Sequence, residues 1–139
     1  MFAPFRNPTQ AYRQLGTETA VSDANPHRLI DMLFEGASEF IAKADAAIVR
    51  RDLATKGESI TRAIRIVDEG LNAALDMSAG EVAENLRSLY LFVELQLLAA
   101  SRDNDRERLA VARRTLAEIH AAWRQIAPAR NSQPDFETA

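Results

Sequence analysis

The stretch that decides the fold is residues 25–48, which reads NPHRLIDMLFEGASEFIAKADAAI. Asn25 is a good helix N-cap, and Pro26 follows at the first helical position, where its missing N–H costs nothing. Arg50 and Arg51 suit the negative end of a helix and mark its end. Between these signals apolar residues recur at spacings of three and four, which predicts a helix with one apolar face. These residues are Leu29, Ile30, Leu33, Phe34, Ala37, Phe40, Ile41, Ala44 and Ile48.

Three more helices follow on the same pattern. We expect them over residues 53–76, from 81 to about 101, and from about 106 to a proline at 128 that ends the last one. Their apolar positions are Ile60, Ala63, Ile64, Val67, Leu71, Ala74 and Leu75; Val82, Leu86, Leu89, Tyr90, Val93, Leu97 and Ala100; and Leu109, Ala112, Leu116, Ile119, Trp123 and Ile126. Helices of this length joined by short turns run antiparallel to their neighbours, so the pattern predicts an all-α, up-down-up-down four-helix bundle.

Three local features refine this prediction. Gly70 lies inside the second helix, where we expect it to let another helix approach closely. Asn104 or Asp105 caps the fourth helix. The chain then divides into an N-terminal arm or short helix (residues 1–25), the bundle (26–127) and a flexible C-terminal tail (128–139).

The third helix has more apolar residues than one face can hold. Leu91, Phe92, Leu95 and Leu98 fall off the apolar stripe of this helix. A helix that is apolar nearly all round is either central in its fold or covered by something else.

Composition narrows the function classes. The chain has no cysteine, which excludes disulfides, thiolate zinc sites and a cysteine nucleophile, and a formal net charge of −3, which gives no argument for nucleic acid. Residues 105–130 carry six arginines against three acids, which we interpret as solvated arginines rather than a partner surface. Neither a signal peptide nor a membrane-spanning run is evident, so we expect a cytoplasmic protein without stable membrane insertion.

A search for chemistry finds no catalytic, cofactor or metal site. The two histidines, His27 and His120, lack the Glu-x-x-His context of di-iron bundles and the following lysine that is typical of phosphotransfer domains. Phosphate loops and nucleophile elbows are also absent from the sequence. The chain is therefore predicted to be a binding protein and not an enzyme. A phosphotransfer-like signalling bundle and a self-associating bundle stay open as alternatives.

An ordered series of motifs resembles the flagellin export chaperone family, FliS. The strongest motif is residues 24–37, in which a small residue and Pro-His lead into Leu-Ile, Met-Leu, an aromatic residue, an acid and Gly-Ala. The other matching segments are Ala11 to Gln14, Glu18 to Val21, Lys56-Gly57, Ala63 to Val67, Gly70-Leu71, Leu75-Asp76, Gly80 to Leu86, Leu89-Tyr90, Ala99 to Asn104 and Ala122 to Ile126. The resemblance covers residues 11 to about 127.

One departure from the family pattern lies in the third helix. After Leu89-Tyr90 the family usually has Asp and then a Met-basic-basic stretch, whereas this chain continues with residues 91–96, Leu-Phe-Val-Glu-Leu-Gln. The third helix of this protein is therefore more apolar on a side that is polar and basic in the family.

The resemblance implies a cytosolic chaperone that binds the C-terminal segment of flagellin, prevents premature polymerisation and assists delivery to the flagellar type III export gate. It also implies contacts with an export gate component and with a co-chaperone, and an exposed apolar groove would favour a homodimer when the client is absent. We expect the client groove on the second and third helices. The resemblance also implies that Tyr12 of the arm covers this groove when it is empty, and a permanently docked arm stays open as the alternative. The expected partner-binding residues are Tyr12, Ile64, Leu71, Asn85, Leu86, Leu89 and Tyr90.

Overall fold

The computed structural model describes the backbone of residues 25–138 and the side chains of residues 25–126. The described residues form four helices: α1 (Pro26–Val49), α2 (Leu53–Arg65, continued by a π-helix over Ile66–Asn72), α3 (Glu81–Asp103) and α4 (Arg106–Thr138). A short 3₁₀ turn, Met77–Ala79, precedes α3. No strand occurs within residues 25–138. The prediction of an all-α four-helix bundle is confirmed.

Side-chain caps begin α1 and α4 as the sequence predicts. The Asn25 carboxamide oxygen accepts a hydrogen bond from the backbone N–H of Arg28 at 2.7 Å. Of the two candidate caps for α4, Asp105 is the one used, because its carboxylate accepts from the backbone N–H of Glu107 at 3.0 Å. Asn104 instead ends α3 in the left-handed conformation, with φ 52°.

The second helix ends differently from the prediction. We predicted a helix as far as residue 76, but the α-helical part of α2 stops at Arg65 and the widened π-helical turn ends at Asn72. A π-turn shifts the hydrogen-bond register by one residue, and apolar spacing locates a helix without revealing that shift. Gly70 lies in this turn, and a Cβ there would be 3.1 Å from Cδ1 of Leu33. The predicted close approach at Gly70 is confirmed.

The prediction that α4 ends at Pro128 is wrong, since the helix continues to Thr138. A proline removes one backbone hydrogen bond and can bend a helix, but it does not have to end it. The division into bundle and tail at residue 128 stays a prediction, and so does the arm, since residues 1–24 lie outside the described part of the chain.

The core is formed by the inner faces of all four helices. Its largest fully buried side chains are Leu33, Ile41, Ile60, Ile66, Val67, Val93, Leu97, Leu109 and Leu116. One cation, Lys56 of α2, is also buried. Its Nζ donates to the Ser101 carbonyl at 2.9 Å and to the Asn104 carboxamide oxygen at 2.7 Å. The ammonium thus satisfies the carbonyl end of α3, where a positive charge is favoured.

Candidate functional site: an apolar cleft and the outer face of α3

An apolar cleft of about 270 Å³ opens between the start of α1, the π-helix, the first half of α3 and the later part of α4. We call it the end cleft. All its lining residues are apolar or aromatic: Ile30, Phe34, Leu71, Ala74, Leu75, Val82, Leu86, Tyr90, Ile119, Ala122, Trp123 and Ile126. A concave apolar surface with a few aromatic rings suits apolar side chains of a partner.

Two aromatic rings of the end cleft pack against histidine rings that do not line the cleft. The Phe34 ring stacks on the imidazole of His120 with 4.7 Å between ring centroids, and the Trp123 ring lies 5.2 Å from that of His27. Tyr90 is almost fully buried, and burial raises the pKa of its phenol well above the usual range. Its hydroxyl therefore stays protonated and can donate a hydrogen bond.

A second apolar surface lies on the outside of α3. It is formed by Leu89, Leu91, Phe92, Leu95 and Leu98, of which Leu91, Leu95 and Leu98 are each 54% exposed. We call it the outer α3 face. It includes all four apolar residues that lie off the predicted apolar stripe of this helix. These surplus residues are therefore on the surface and not in the centre of the bundle. A contiguous exposed apolar patch of this kind indicates an interaction surface.

A carboxyl pair lies beside the outer α3 face. Glu94 of α3 is half-buried, and burial raises the pKa of its carboxyl to about 7, with the nearby Asp68 carboxylate adding to the rise. Two carboxyl groups this close do not both ionise easily, so Glu94 keeps its proton to a higher pH than an ordinary glutamate. The boundary between the π-helix and α3 therefore carries less charge than its sequence implies.

The predicted partner-binding residues divide between these surfaces. Leu71, Leu86 and Tyr90 meet in the end cleft. Leu89 lies on the outer α3 face and Asn85 is exposed on the same helix. The other two predicted residues do not join them. Ile64 of α2 is half-buried against the core, and Tyr12 lies outside the described residues.

Sequence reasoning did not assign the α1 and α4 walls of the end cleft. The apolar spacing places Phe34, Ile119 and Trp123 on core stripes, and each is also a lining residue of the cleft. Apolar periodicity gives no signal for this double role, because a cleft wall and a core stripe have the same spacing. The residues of the outer α3 face did leave a signal, since they lie off the stripe of their own helix.

The histidine that a phosphotransfer protein would use is occupied by structural contacts. His120 Nε2 forms a short hydrogen bond with the Asp31 carboxylate, and its side chain is only 15% exposed. Arg124 donates to the same carboxylate at 2.9 Å. Burial alone would raise the pKa of Asp31, but these hydrogen bonds hold that pKa below its usual value. The arrangement makes His120 part of a polar contact between α1 and α4 rather than a free phosphate acceptor.

Within the described residues no cluster of His, Cys, Asp or Glu could hold a metal ion. None of the helices in that range is long and apolar enough to span a membrane.

The fold and these two apolar surfaces define a helical module for binding another polypeptide. The family model described as "Flagellar protein FliS" matches residues 8–130. The chain therefore belongs to the FliS family, whose members are chaperones and not enzymes, and the prediction of a non-enzyme is confirmed. Membership in the family supports a role in flagellar export.

Three relatives show how much of the chain the similarity covers. The flagellar secretion chaperone FliS of Salmonella typhimurium is 40% identical over 125 residues, which cover 89% of this chain and 93% of the relative. FliSB of Pseudomonas aeruginosa is 41% identical over 113 residues, which cover 81% and 89% of the two chains. FliS of Bacillus subtilis is 31% identical over 120 residues, 86% of each chain.

Proposed function

We propose that this chain is a cytoplasmic export chaperone that binds the C-terminal segment of flagellin. By holding that segment it prevents premature polymerisation, and it assists delivery of flagellin to the flagellar type III export apparatus. The observation that carries the proposal is a pair of apolar surfaces that are accessible among the described residues, the end cleft and the outer α3 face. The names of the curated relatives, each called a flagellar secretion chaperone, support a client that belongs to the flagellum.

The energetics of such a complex suit a chaperone that must later release its client. A disordered segment can fold as amphipathic helices on the surface of a rigid bundle. Burying roughly 1,000 Å² of apolar surface at ~25 cal/mol per Å² gains ~25 kcal/mol before costs. Lost rigid-body freedom costs roughly 4–15 kcal/mol and ordering the segment about 2–5 or more. Binding is then favourable but reversible.

The two surfaces would serve different parts of the client. The end cleft, with Leu71, Leu86 and Tyr90, has the size for a few apolar side chains, and the phenol of Tyr90 is a hydrogen-bond donor there. Along α3, Leu89 would contact an apolar client face, and the exposed carboxamide of Asn85 would pair with client backbone.

Two further residues and two further partners complete the proposal. Ile64 would act from α2, where it is half-buried at the edge of the core. Tyr12 would act from the arm as a cover of the empty site and as a contact for an export gate component. A co-chaperone is a further partner of the same complex.

Co-expression tests the proposal. The full chain is produced with full-length flagellin and, separately, with flagellin lacking its last ~40 residues, a length that forms a few short helices. Complexes are then measured by size exclusion with light scattering. We expect a one-to-one complex with intact flagellin and none with the truncated protein. Equal binding of both forms, or of neither, would reject the C-terminal segment as the client.

Self-association is the second candidate function, and the outer α3 face is the observation that favours it. Two copies pairing through this face would bury the same leucines that a client buries. Light scattering of the free protein between about 5 and 500 μM, which spans weak homodimers, would show a rising mass if the client-free protein dimerises. A constant monomer mass over this range excludes self-association of the client-free protein.

A further inference from the structure

A second concave surface lies between α1 and α4, away from the end cleft. This groove has a volume of about 610 Å³ and includes Ala42, Ala110 and Ala117 among its lining residues. Arg113 and Arg114 of α4 also line it. We call it the alanine–arginine groove and define it by these five residues.

The charge of this groove is not neutralised within the described part of the chain. The third arginine of the groove, Arg106, is paired with Asp45 at 2.7 Å. Neither Arg113 nor Arg114 forms a salt bridge with a described residue, although the Arg113 charge acts on Asp45 and contributes to the lowered pKa of that carboxyl. One further carboxylate, Glu107, lines the groove. Two guanidinium groups without a salt-bridge partner among the described residues therefore lie beside the exposed side chains of Ala110 and Ala117.

One of these arginines is held in place. Arg113 Nε donates to the hydroxyl of Ser38 on α1 at 2.8 Å, which leaves its terminal nitrogens free. A guanidinium fixed in this way loses less side-chain entropy when it pairs with a carboxylate, and its planar fork favours two parallel hydrogen bonds.

The spacing along α4 fits a helical ligand. Ala110, Arg113, Arg114 and Ala117 are three, four and seven residues apart, so they share one face of α4. Alanines let the backbone of another helix come close, whereas the arginines would contact the sides of that helix. The sequence alone favours solvated arginines, and it does not reveal that they line a groove together with alanines of α1 and α4.

We propose that the alanine–arginine groove docks an acidic amphipathic helix of a protein partner. Small or apolar side chains of that helix lie on the three alanines, and its carboxylates pair with Arg113 and Arg114. The site uses the α1–α4 edge of the bundle and none of the residues that line the end cleft or form the outer α3 face. It therefore does not depend on the proposed client.

A pair of synthetic peptides tests the proposal. The probe is a fluorescein-labelled helix of about 20 residues with alanine and leucine along one face and glutamates flanking it, and the matched control has glutamine in place of each glutamate. Binding to the full chain is measured by fluorescence anisotropy at low and high salt. We expect the glutamate peptide to bind at least tenfold more tightly than the glutamine peptide, with the difference shrinking as salt rises.

Two charge-reversed variants locate the contact. R113E/R114E should weaken the glutamate peptide at least tenfold, whereas R87E/R102E makes the same charge change on α3 and should leave affinity within about threefold. A lysine version of the peptide should bind R113E/R114E better than the parent chain, and a helical circular dichroism spectrum equal to that of the parent shows that this variant is folded.

Several results would overturn the proposal. They are no binding of the glutamate peptide, equal binding of the glutamine peptide, or an equal loss in the two charge-reversed variants. A salt-sensitive dimer of the free chain that R113E/R114E abolishes would assign the groove to a second copy of this chain and would also overturn it.

Discussion

The α1–α4 boundary and the outer α3 face are surfaces of one bundle built on opposite principles. Across the α1–α4 boundary, hydrogen bonds join Asp31 to Arg124, Asp45 to Arg106 and Ser38 to Arg113. On the outer α3 face, leucines and a phenylalanine are uncovered in the described structure. Leucines on the surface add little to the stability of the folded chain. A group of them on one face therefore indicates an interaction surface.

Adjacent leucines on α3 test this difference most strongly. Leu97 is fully buried, and Leu98 is 54% exposed. Leu97→Ala should lower the free energy of unfolding by about 2–5 kcal/mol, because it removes core contacts and leaves a cavity. Leu98→Ala should cost less than about 1 kcal/mol, since its site is already open to water. Urea denaturation followed by circular dichroism measures both, and similar losses would mean that the outer face is part of the core.

A polar double substitution on the outer face separates binding from stability. Leu95→Gln with Leu98→Gln should weaken the complex with flagellin at least about tenfold, because two apolar side chains lose their burial in the complex. The free energy of unfolding should change little. Arg102→Gln on the same helix is the matched control, since it changes an exposed side chain without removing apolar surface. Unchanged affinity in the double variant would remove the outer face from the client site.

The fold could be predicted almost completely from the sequence, because helix caps and apolar spacing act locally. Asn25 as a cap and the stripe around Leu33 are sufficient to place α1. The π-turn around Gly70 and the passage of α4 through Pro128 could not be predicted, since both concern the hydrogen-bond register inside a helix. That register depends on what the helix packs against, and a repeat of three and four does not encode it.

The candidate site could be predicted only in part. Leu71, Leu86 and Tyr90 were assigned to a groove, and they share one cleft. The opposite wall, which includes Phe34 and Trp123, comes from helices far apart in sequence, so no local pattern brings it to the same place. The family resemblance supplied the kind of client, which no apolar pattern can specify.

The carboxyl pair near the outer face predicts an unusual pH dependence. The pKa of Glu94 is raised to about 7, above its unfolded value, so the folded chain binds more protons between about pH 4.3 and 7. Stability therefore falls as pH rises through this window. Glu94→Gln should remove the slope and stabilise the protein at pH 8 by under about 1 kcal/mol, given solvent screening. Urea denaturation midpoints of the parent chain and of Glu94→Gln at pH 5 and pH 8 measure this change in stability. A parent chain that is equally stable at both pH values would contradict the raised pKa of Glu94, and Glu118→Gln, an exposed acid on α4, is the control.

The α1–α4 boundary should respond to pH in the opposite sense, with the smallest effect of the four. The hydrogen bond from Arg106 is the main cause that lowers the pKa of Asp45 below its usual value. The stabilisation it gives is present above the unfolded pKa of about 3.9 and is lost as pH falls through the lower folded value. Asp45→Asn should therefore destabilise the chain slightly at pH 7 and by less at pH 2, because acid protonates part of the parent carboxyl and weakens its ion pair. Urea midpoints of both proteins at the two pH values give the comparison. If the two urea midpoints differ as much at pH 2 as at pH 7, Asp45 acts through packing. Its contrast with Glu94 would then not be due to charge.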